Sequence, residues 1–225
     1  MKAILDNVHQ QASVIQHENT NLKKDGSQIM CEWLNAPFKS KYDRNNFMLC
    51  MARDITERKQ LEQQLKQAAH YDNLTGLANR SLILELLERA LTMAARKQAK
   101  VALLFLDLND FKAVNDRLGH DAGDLLLKIV AQRLTQAVRK ADYVGRLGGD
   151  EFLVILQDID TLESAQDLTR KLYEHLKQPC TIKTETVLPG ASIGISLYPD
   201  NGKDGSVLLN DADQKMYRDK RDKRK

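Results

Sequence analysis

An α+β fold is what the sequence predicts, on three observations. From residue 72 onward, strand-like and helix-like segments alternate. One strand, residues 101–106, is a continuous apolar run of the kind buried on both faces. Two later strands are separated only by Gly148-Gly149 and Asp150, a hairpin signal. Strands with interleaved helices and one central hairpin imply a sheet with helices packed on it.

In order along the chain, residues 1–56 read as β-rich. Lys23-Lys24-Asp25-Gly26-Ser27 is a turn signal, with strands expected over 28–34 and, after a polar break at 39–46, over 47–53. Large apolar residues are few here, so a complete core is hard to build from this piece alone. Residues 54–71 predict a helix: Ile55, Leu61, Leu65 and Ala68 fall on roughly one face and the charges fall elsewhere. A short amphipathic helix between two units either packs on its own chain or pairs with a second one. Further helices are expected over 81–96, with apolar Leu82, Leu86, Leu87 and Leu91, and over 111–118. Others follow at 122–138, with Leu125, Leu126, Ile129, Val130 and Leu134, and at 162–176 and 207–220. Strands are expected over 101–106, 143–147, 151–156 and 191–197. There is no internal repeat and no low-complexity tract.

Composition narrows the class. Hydrophobic residues make up 42% and charged residues 29%, as in soluble globular proteins. With 34 basic and 31 acidic side chains the net charge is only +3, much of it in residues 220–225, so bulk charge does not point to nucleic acid. Cys31, Cys50 and Cys180 lack metal-ligand spacing, which fits a reduced, cytoplasmic compartment. The first residues do not read as a signal peptide, and no apolar run approaches the length of a membrane span, so direct membrane insertion is not expected.

Asp107 sits where the apolar run ends, and Asp150 and Glu151 sit at the Gly-Gly hairpin tip. Clustered carboxylates repel unless a cation lies among them. Mg²⁺ takes a few carboxylates and completes its shell with water and substrate phosphates, so the cluster outlines a metal-assisted nucleotidyl-transfer site. A plain hairpin with acidic surface residues accounts for Gly-Gly-Asp-Glu equally well when it is taken alone.

Five ordered motifs change that balance. Gly148-Gly149-Asp150-Glu151-Phe152 is the signature pentapeptide of GGDEF domains. Asp72-Asn73-Leu74-Thr75-Gly76-Leu77-Ala78-Asn79-Arg80 resembles that family's opening motif, and Phe105-Leu106-Asp107-Leu108-Asn109-Asp110-Phe111-Lys112-Ala113-Val114-Asn115-Asp116 its first metal segment. Gly119-His120-Asp121-Ala122-Gly123-Asp124 follows at the family spacing. Ala191-Ser192-Ile193-Gly194-Ile195-Ser196 and Ala212-Asp213-Gln214-Lys215-Met216-Tyr217 close the pattern. The resemblance, to the GGDEF diguanylate cyclases, covers residues 72–225. It implies a palm-like domain with a central, mostly antiparallel sheet flanked by helices. It further implies condensation of two GTP into cyclic di-GMP with release of pyrophosphate, in a homodimer.

The same resemblance implies the site. Asp107, Asp150 and Glu151 would hold Mg²⁺, with Mn²⁺ as the alternative, and the Leu108 carbonyl would join them; Asp150 and Glu151 are the catalytic pair. Asn115 and Asp124 would read the guanine edge, where an amide and a carboxylate match its donors and acceptors. Without the family they read as a helix cap and an early-helix acid. Backbone amides at 109–111, opening the helix of Phe111 and Lys112, suit phosphates. Lys220 and Arg224 match a late phosphate-binding pair, although Lys223 stands where the family has glycine. Arg139-Lys140-Ala141-Asp142 matches a product-inhibition motif in which Arg139 and Asp142 bind cyclic di-GMP, with Arg170 as an additional arginine; the alternative is a helix end and a strand start.

Residues 1–56 resemble the last third of a PAS domain, through Lys23-Lys24-Asp25-Gly26-Ser27, Cys31-Glu32-Trp33 and Met51-Ala52-Arg53-Asp54-Ile55-Thr56-Glu57-Arg58, with 57–71 as the connecting helix. The missing first strands and helices leave any ligand pocket incomplete, and His9, His17 and His70 read as solvent-exposed. Two rival functions differ in kind. A non-enzymatic receptor is disfavoured by the intact Asp107, Asp150 and Glu151. A nucleic-acid binder is disfavoured by a basic tail without aromatic platforms.

Overall fold

The computed structural model describes residues 14–39 and 46–223. The chain divides into two compact units, Met1–Gln67 and Ala68–Lys225.

In the first unit, β1 (Ile15–Leu22), β2 (Gln28–Lys39) and β3 (Asn46–Asp54) form an antiparallel sheet in the order β1-β2-β3. The turn signal is real: the Asp25 carboxylate accepts from the backbone and hydroxyl of Ser27. β1 was not predicted because its alternation is almost wholly polar. Of the described residues in this unit, Cys31, Asn35 and Ile55 are buried, in keeping with the expected thin core. Helix α1 (Thr56–His70) is capped by Asp54, which accepts from the Thr56 amide at 2.9 Å; the helix buries none of its residues, and Leu61 and Leu65 stay exposed. His17 and His70 are half-buried, not exposed as expected, while His9 lies outside the described residues.

The second unit is built on a four-stranded antiparallel sheet in the order β5-β6-β4-β9, from β4 (Lys100–Leu108), β5 (Tyr143–Gly148), β6 (Glu151–Ile159) and β9 (Ala191–Tyr198). β4 is central and covered on both faces, which is why it reads as an unbroken apolar run. Its even-numbered residues, with Val154 and Leu156, meet α4 (His120–Ala137) and α5 (Leu162–Leu176). Its odd-numbered residues Val101, Leu103 and Phe105, with Leu153 and Ile155, meet α2 (Arg80–Lys97) and α6 (Gly205–Lys223). Helix α3 (Phe111–Leu118) leads from β4 into α4.

Two short strands, β7 (Cys180–Ile182) and β8 (Glu185–Val187), form a separate hairpin. At three residues each they are too short for a periodicity signal. The predicted helices and strands are otherwise present, with ends displaced by up to three residues, except that β2 runs five residues past its expected end at Leu34.

Candidate active site

The sheet register brings the acidic residues together. Asp107, buried in β4, lies opposite Glu151 of β6 on one side and Ser192 of β9 on the other. The Asp150 carbonyl accepts from the Leu108 amide at 3.2 Å, so the hairpin tip is stitched to the end of β4. Leu108, the last residue of that strand, is itself buried. Directly opposed like charges destabilise a strand pair, and these also sit in partly dehydrated surroundings. Burial, reinforced by the Asp107 charge, pushes the Asp150 carboxyl above its ordinary range. Glu151 is raised for the same reasons, in the order burial, Asp107, Asp150 and Asp213.

Basic side chains answer them: Lys220 and Arg146 oppose the rise at Asp150, and Arg80 opposes it at Glu151. The Lys220 ammonium, from α6, donates to Asp107 Oδ1. Asp107, Glu151, Asp213, Tyr217, Lys220 and Arg221 line a cavity of about 340 Å³. The donor set suits a hard divalent cation: the Asp107, Asp150 and Glu151 carboxylates meet at the strand ends, with an ammonium already drawn in at Asp107. Among the described residues, no three His, Cys, Asp or Glu side chains converge into a ready-made cage.

Beyond the end of β4, α3 and α4 frame a second set of groups. Asn115 Oδ1 is buried with no hydrogen-bond partner. It faces Gly123 so closely that a Cβ there would lie 1.8 Å from it, and 3.2 Å from Phe111 Cζ. Glycine at 123 leaves Asn115 in this position, and a buried unpaired acceptor is rare unless something outside the chain supplies the donor. Asp124, the next residue on α4, is exposed, as is Lys112 on α3. Asp110 precedes α3 in the left-handed region (φ 55°) and gives it no side-chain cap, so the first amides of that helix have no capping side chain. Asn109 differs from expectation: its amide already donates to the Gly190 carbonyl at 2.9 Å, and its Oδ1 accepts from Ser192 Oγ. The free amides therefore begin after it.

Sequence reasoning missed Arg146. Its Nη1 lies 3.0 and 3.1 Å from the two oxygens of Asp72, and its Nε and Nη2 lie 3.0 and 2.7 Å from the Gly149 carbonyl. Asp72 also accepts from the Thr75 amide and hydroxyl. The opening motif is thereby tied to the hairpin tip. The available signal was an arginine two residues before the paired glycines, in a strand otherwise apolar or small.

Arg139 and Asp142 lie at the far end of β5. Asp142 Oδ2 accepts from the Arg139 amide at 2.9 Å and Oδ1 from the Gln157 amide at 3.0 Å, so this carboxylate shapes the turn between α4 and β5. Arg139, Lys140 and Asp142 also line a cavity of about 710 Å³ with Tyr71, Leu82 and Tyr143. Arg170 is not among its lining residues. It pairs with Asp167 on α5 and borders a different depression, beside Tyr173 and Lys223. Arg224 lies outside the described residues.

Comparison with known proteins agrees with this arrangement. The family model "Diguanylate cyclase, GGDEF domain" matches residues 69–225. The signaling protein YkoW of Bacillus subtilis is 39% identical over 172 residues, 76% of this chain and 21% of that protein. The diguanylate cyclase TpbB of Pseudomonas aeruginosa is 40% identical over 161 residues, 71% of this chain and 37% of that protein. The solved GGDEF domain of TpbB superposes with a TM-score of 0.66 at 40% identity, covering 68% of this chain and 90% of that one. The GGDEF domain of DgcB from Caulobacter crescentus, solved in complex with c-di-GMP, gives 0.62 at 26% identity, covering 68% and 91%. The chain thus spans well under half the length of these curated relatives, but nearly the whole of the solved domains. With that match over the same residues whose carboxylates, glycines and helices build the site, the chain belongs to the diguanylate cyclase GGDEF-domain family.

Proposed function

We propose that this protein is a diguanylate cyclase that condenses two GTP into cyclic di-GMP and two pyrophosphates. The observation that carries the reading is the carboxylate group of Asp107, Asp150 and Glu151 closed by the Lys220 ammonium. The orphaned Asn115 Oδ1 supports the choice of base: guanine offers N–H donors, and Asp124 beside it accepts others.

In this account each domain binds one GTP, and two domains of a homodimer face each other. The 3′-hydroxyl of one GTP attacks the α-phosphorus of the other; an O–P bond forms and the bond to pyrophosphate breaks. A second such step closes the ring. Asp107, Asp150 and Glu151, with the Leu108 carbonyl, would hold Mg²⁺. When bound, that ion offsets phosphate charge and lowers the pKa of the attacking hydroxyl. Glu151, whose carboxyl is raised by burial and by Asp107, is suited to take up the hydroxyl proton. Lys220 holds Asp107 and the departing phosphates; Arg224 is proposed to join it. Asn115 and Asp124 orient the base, and the first amides of α3 with Lys112 orient the phosphates.

Several further assignments belong to the same proposal. Arg139 and Asp142 form a product site at which cyclic di-GMP inhibits, with Arg170 able to contribute from a second domain. Residues 1–56 are the C-terminal part of a PAS domain, 57–71 a signalling helix that pairs with its copy, and 72–225 the cyclase domain. The enzyme acts in the cytoplasm; no helix among the described residues is long and apolar enough to cross a membrane. The test is to incubate the purified chain with GTP and Mg²⁺ and to separate the products. Cyclic di-GMP and pyrophosphate in a 1:2 ratio are expected. Binding of GTP without any product would overturn the enzymatic reading in favour of a receptor.

A further inference from the structure

β9 is the last strand of its sheet, and its outer edge carries a row of backbone groups with no neighbouring strand among the described residues. Such groups must find partners, and an open edge invites another strand. Here a helix supplies them. Lys215, Asp219 and Lys223 lie four residues apart on one stripe of α6. Lys215 Nζ donates to the Ile195 carbonyl at 3.0 Å, Asp219 Oδ2 accepts from the Ile193 amide at 3.0 Å, and Lys223 Nζ donates to the Ala191 carbonyl at 2.9 Å. Donor, acceptor, donor on the helix thus meet carbonyl, amide, carbonyl on the strand. Ion pairs within the stripe, Lys215 to Asp211 at 2.6 Å and Lys223 to Asp219 at 2.7 Å, brace it. The contact is close: a Cβ at Gly194 would lie 1.9 Å from the Ala212 carbonyl.

The middle rung falls beside the candidate site. Ile193 follows Ser192, the residue of β9 that lies directly opposite Asp107. Asp219 precedes Lys220, whose ammonium meets Asp107. One rung therefore fixes α6 to the sheet within a residue of the position that Lys220 must reach. We propose that Asp219 is a positioning residue: by replacing the missing strand at Ile193, it sets the register of α6 and holds Lys220 at Asp107. Its functional weight rests on the cyclase reading, but the contact itself does not.

The test compares Asp219→Leu, which leaves the Ile193 amide unpaired, with Asp219→Asn, which keeps an acceptor there. A second rung variant, Lys215→Met, guards against a misfolded leucine variant. Lys220 is labelled with an acylating reagent and followed by peptide mass spectrometry, with exposed Lys177 as internal reference, alongside amide exchange at Ile193. In Asp219→Leu, Lys220 labelling and Ile193 exchange are expected to rise about tenfold, the size of effect of one unmet buried donor. Lys215→Met is expected to raise both less, and Asp219→Asn to match the parent. In turnover, Asp219→Leu should lower kcat/KM for GTP, and adding it to Lys220→Ala should cost nothing more, because the two act through one group. Unchanged Lys220 labelling in a folded Asp219→Leu protein, or full additivity with Lys220→Ala, would overturn the proposal. A parent that makes no cyclic di-GMP would remove the cyclase reading while the labelling result still decided the role of Asp219.

Discussion

Arg146 holds the Asp72 carboxylate with one end of its guanidinium and the Gly149 carbonyl with the other. Both partners are largely shielded, with 12% and 22% of the Arg146 and Asp72 side chains exposed, so this pair is screened less than those on the surface. Arg146→Ala leaves the carboxylate and the Gly149 carbonyl short of donors. A loss of about 1–3 kcal/mol in chemical denaturation is expected, with a fall in cyclase rate because the hairpin tip loses its tether. Unchanged stability and rate would reduce Arg146 to a surface contact.

The same pair sets an acid dependence. Burial alone would raise the Asp72 carboxyl, but the bonds from Thr75 and Arg146 outweigh it and hold the group below its ordinary value of 3.8. A folded value below the unfolded one means that this contribution is complete above the unfolded value and is lost as pH falls through the folded one. In denaturation series, the gap between parent and Asp72→Asn should therefore be constant above about pH 5 and close progressively below pH 4. A gap that stayed constant down to pH 2 would contradict the assignment.

Asp150 and Glu151 have the opposite sign. Their carboxyls are raised by burial and by Asp107, so stability is fullest below the unfolded values and is lost as pH rises through the folded ones. Asp150→Asn removes one charge from the cluster. With chelator present at pH 7 it should be at least as stable as the parent, and the difference should vanish towards pH 3. A variant less stable than the parent at pH 7 would show that the carboxylate is satisfied without a cation.

Much of this was legible in the sequence, and the reasons differ by element. β4 announced itself because both its faces are covered, and the Gly-Gly tip because the strands on either side are apolar. β1 was invisible because its residues are nearly all polar, and β7 and β8 because three residues carry no period. Asp107, Asp150 and Glu151 could be read from their places at strand ends. Arg146 and Asp219 could not: Arg146 joins the Gly149 carbonyl to the carboxylate of Asp72, 74 positions away in sequence, and Asp219 meets the Ile193 amide, 26 positions away, pairings that composition and spacing do not reveal.

The base-reading assignment has a steric test. Gly→Ala inside a helix ordinarily stabilises it by about 1 kcal/mol. At Gly123 the added methyl would sit 1.8 Å from Asn115 Oδ1 and displace it. Gly123→Ala is therefore expected to weaken GTP binding at least tenfold, about 1.4 kcal/mol or more, and Asp124→Ala by a similar factor. Calorimetric titration with GTP and ATP checks both, and GTP affinity unchanged in Gly123→Ala would dissociate Asn115 from the base.

Feedback should depend on Arg139. Asp142 already accepts from two backbone amides, whereas the Arg139 guanidinium offers several donors at the cavity rim. Arg139→Ala should bind product far more weakly and continue past the product level at which the parent stalls, with its initial rate nearly intact. Parent and variant stalling together would return 139–142 to a plain turn between helix and strand.

The proposed chemistry rests on the carboxylates at the ends of β4 and β6. The most direct measurement is the initial rate of cyclic di-GMP formation by the parent and by Asp150→Asn at saturating GTP and Mg²⁺. A loss of at least about a hundredfold is predicted, the scale of several kcal/mol of charge stabilisation, in a variant that remains folded at neutral pH. Near-parental turnover by Asp150→Asn would show that the Asp150 carboxylate takes no part in the reaction.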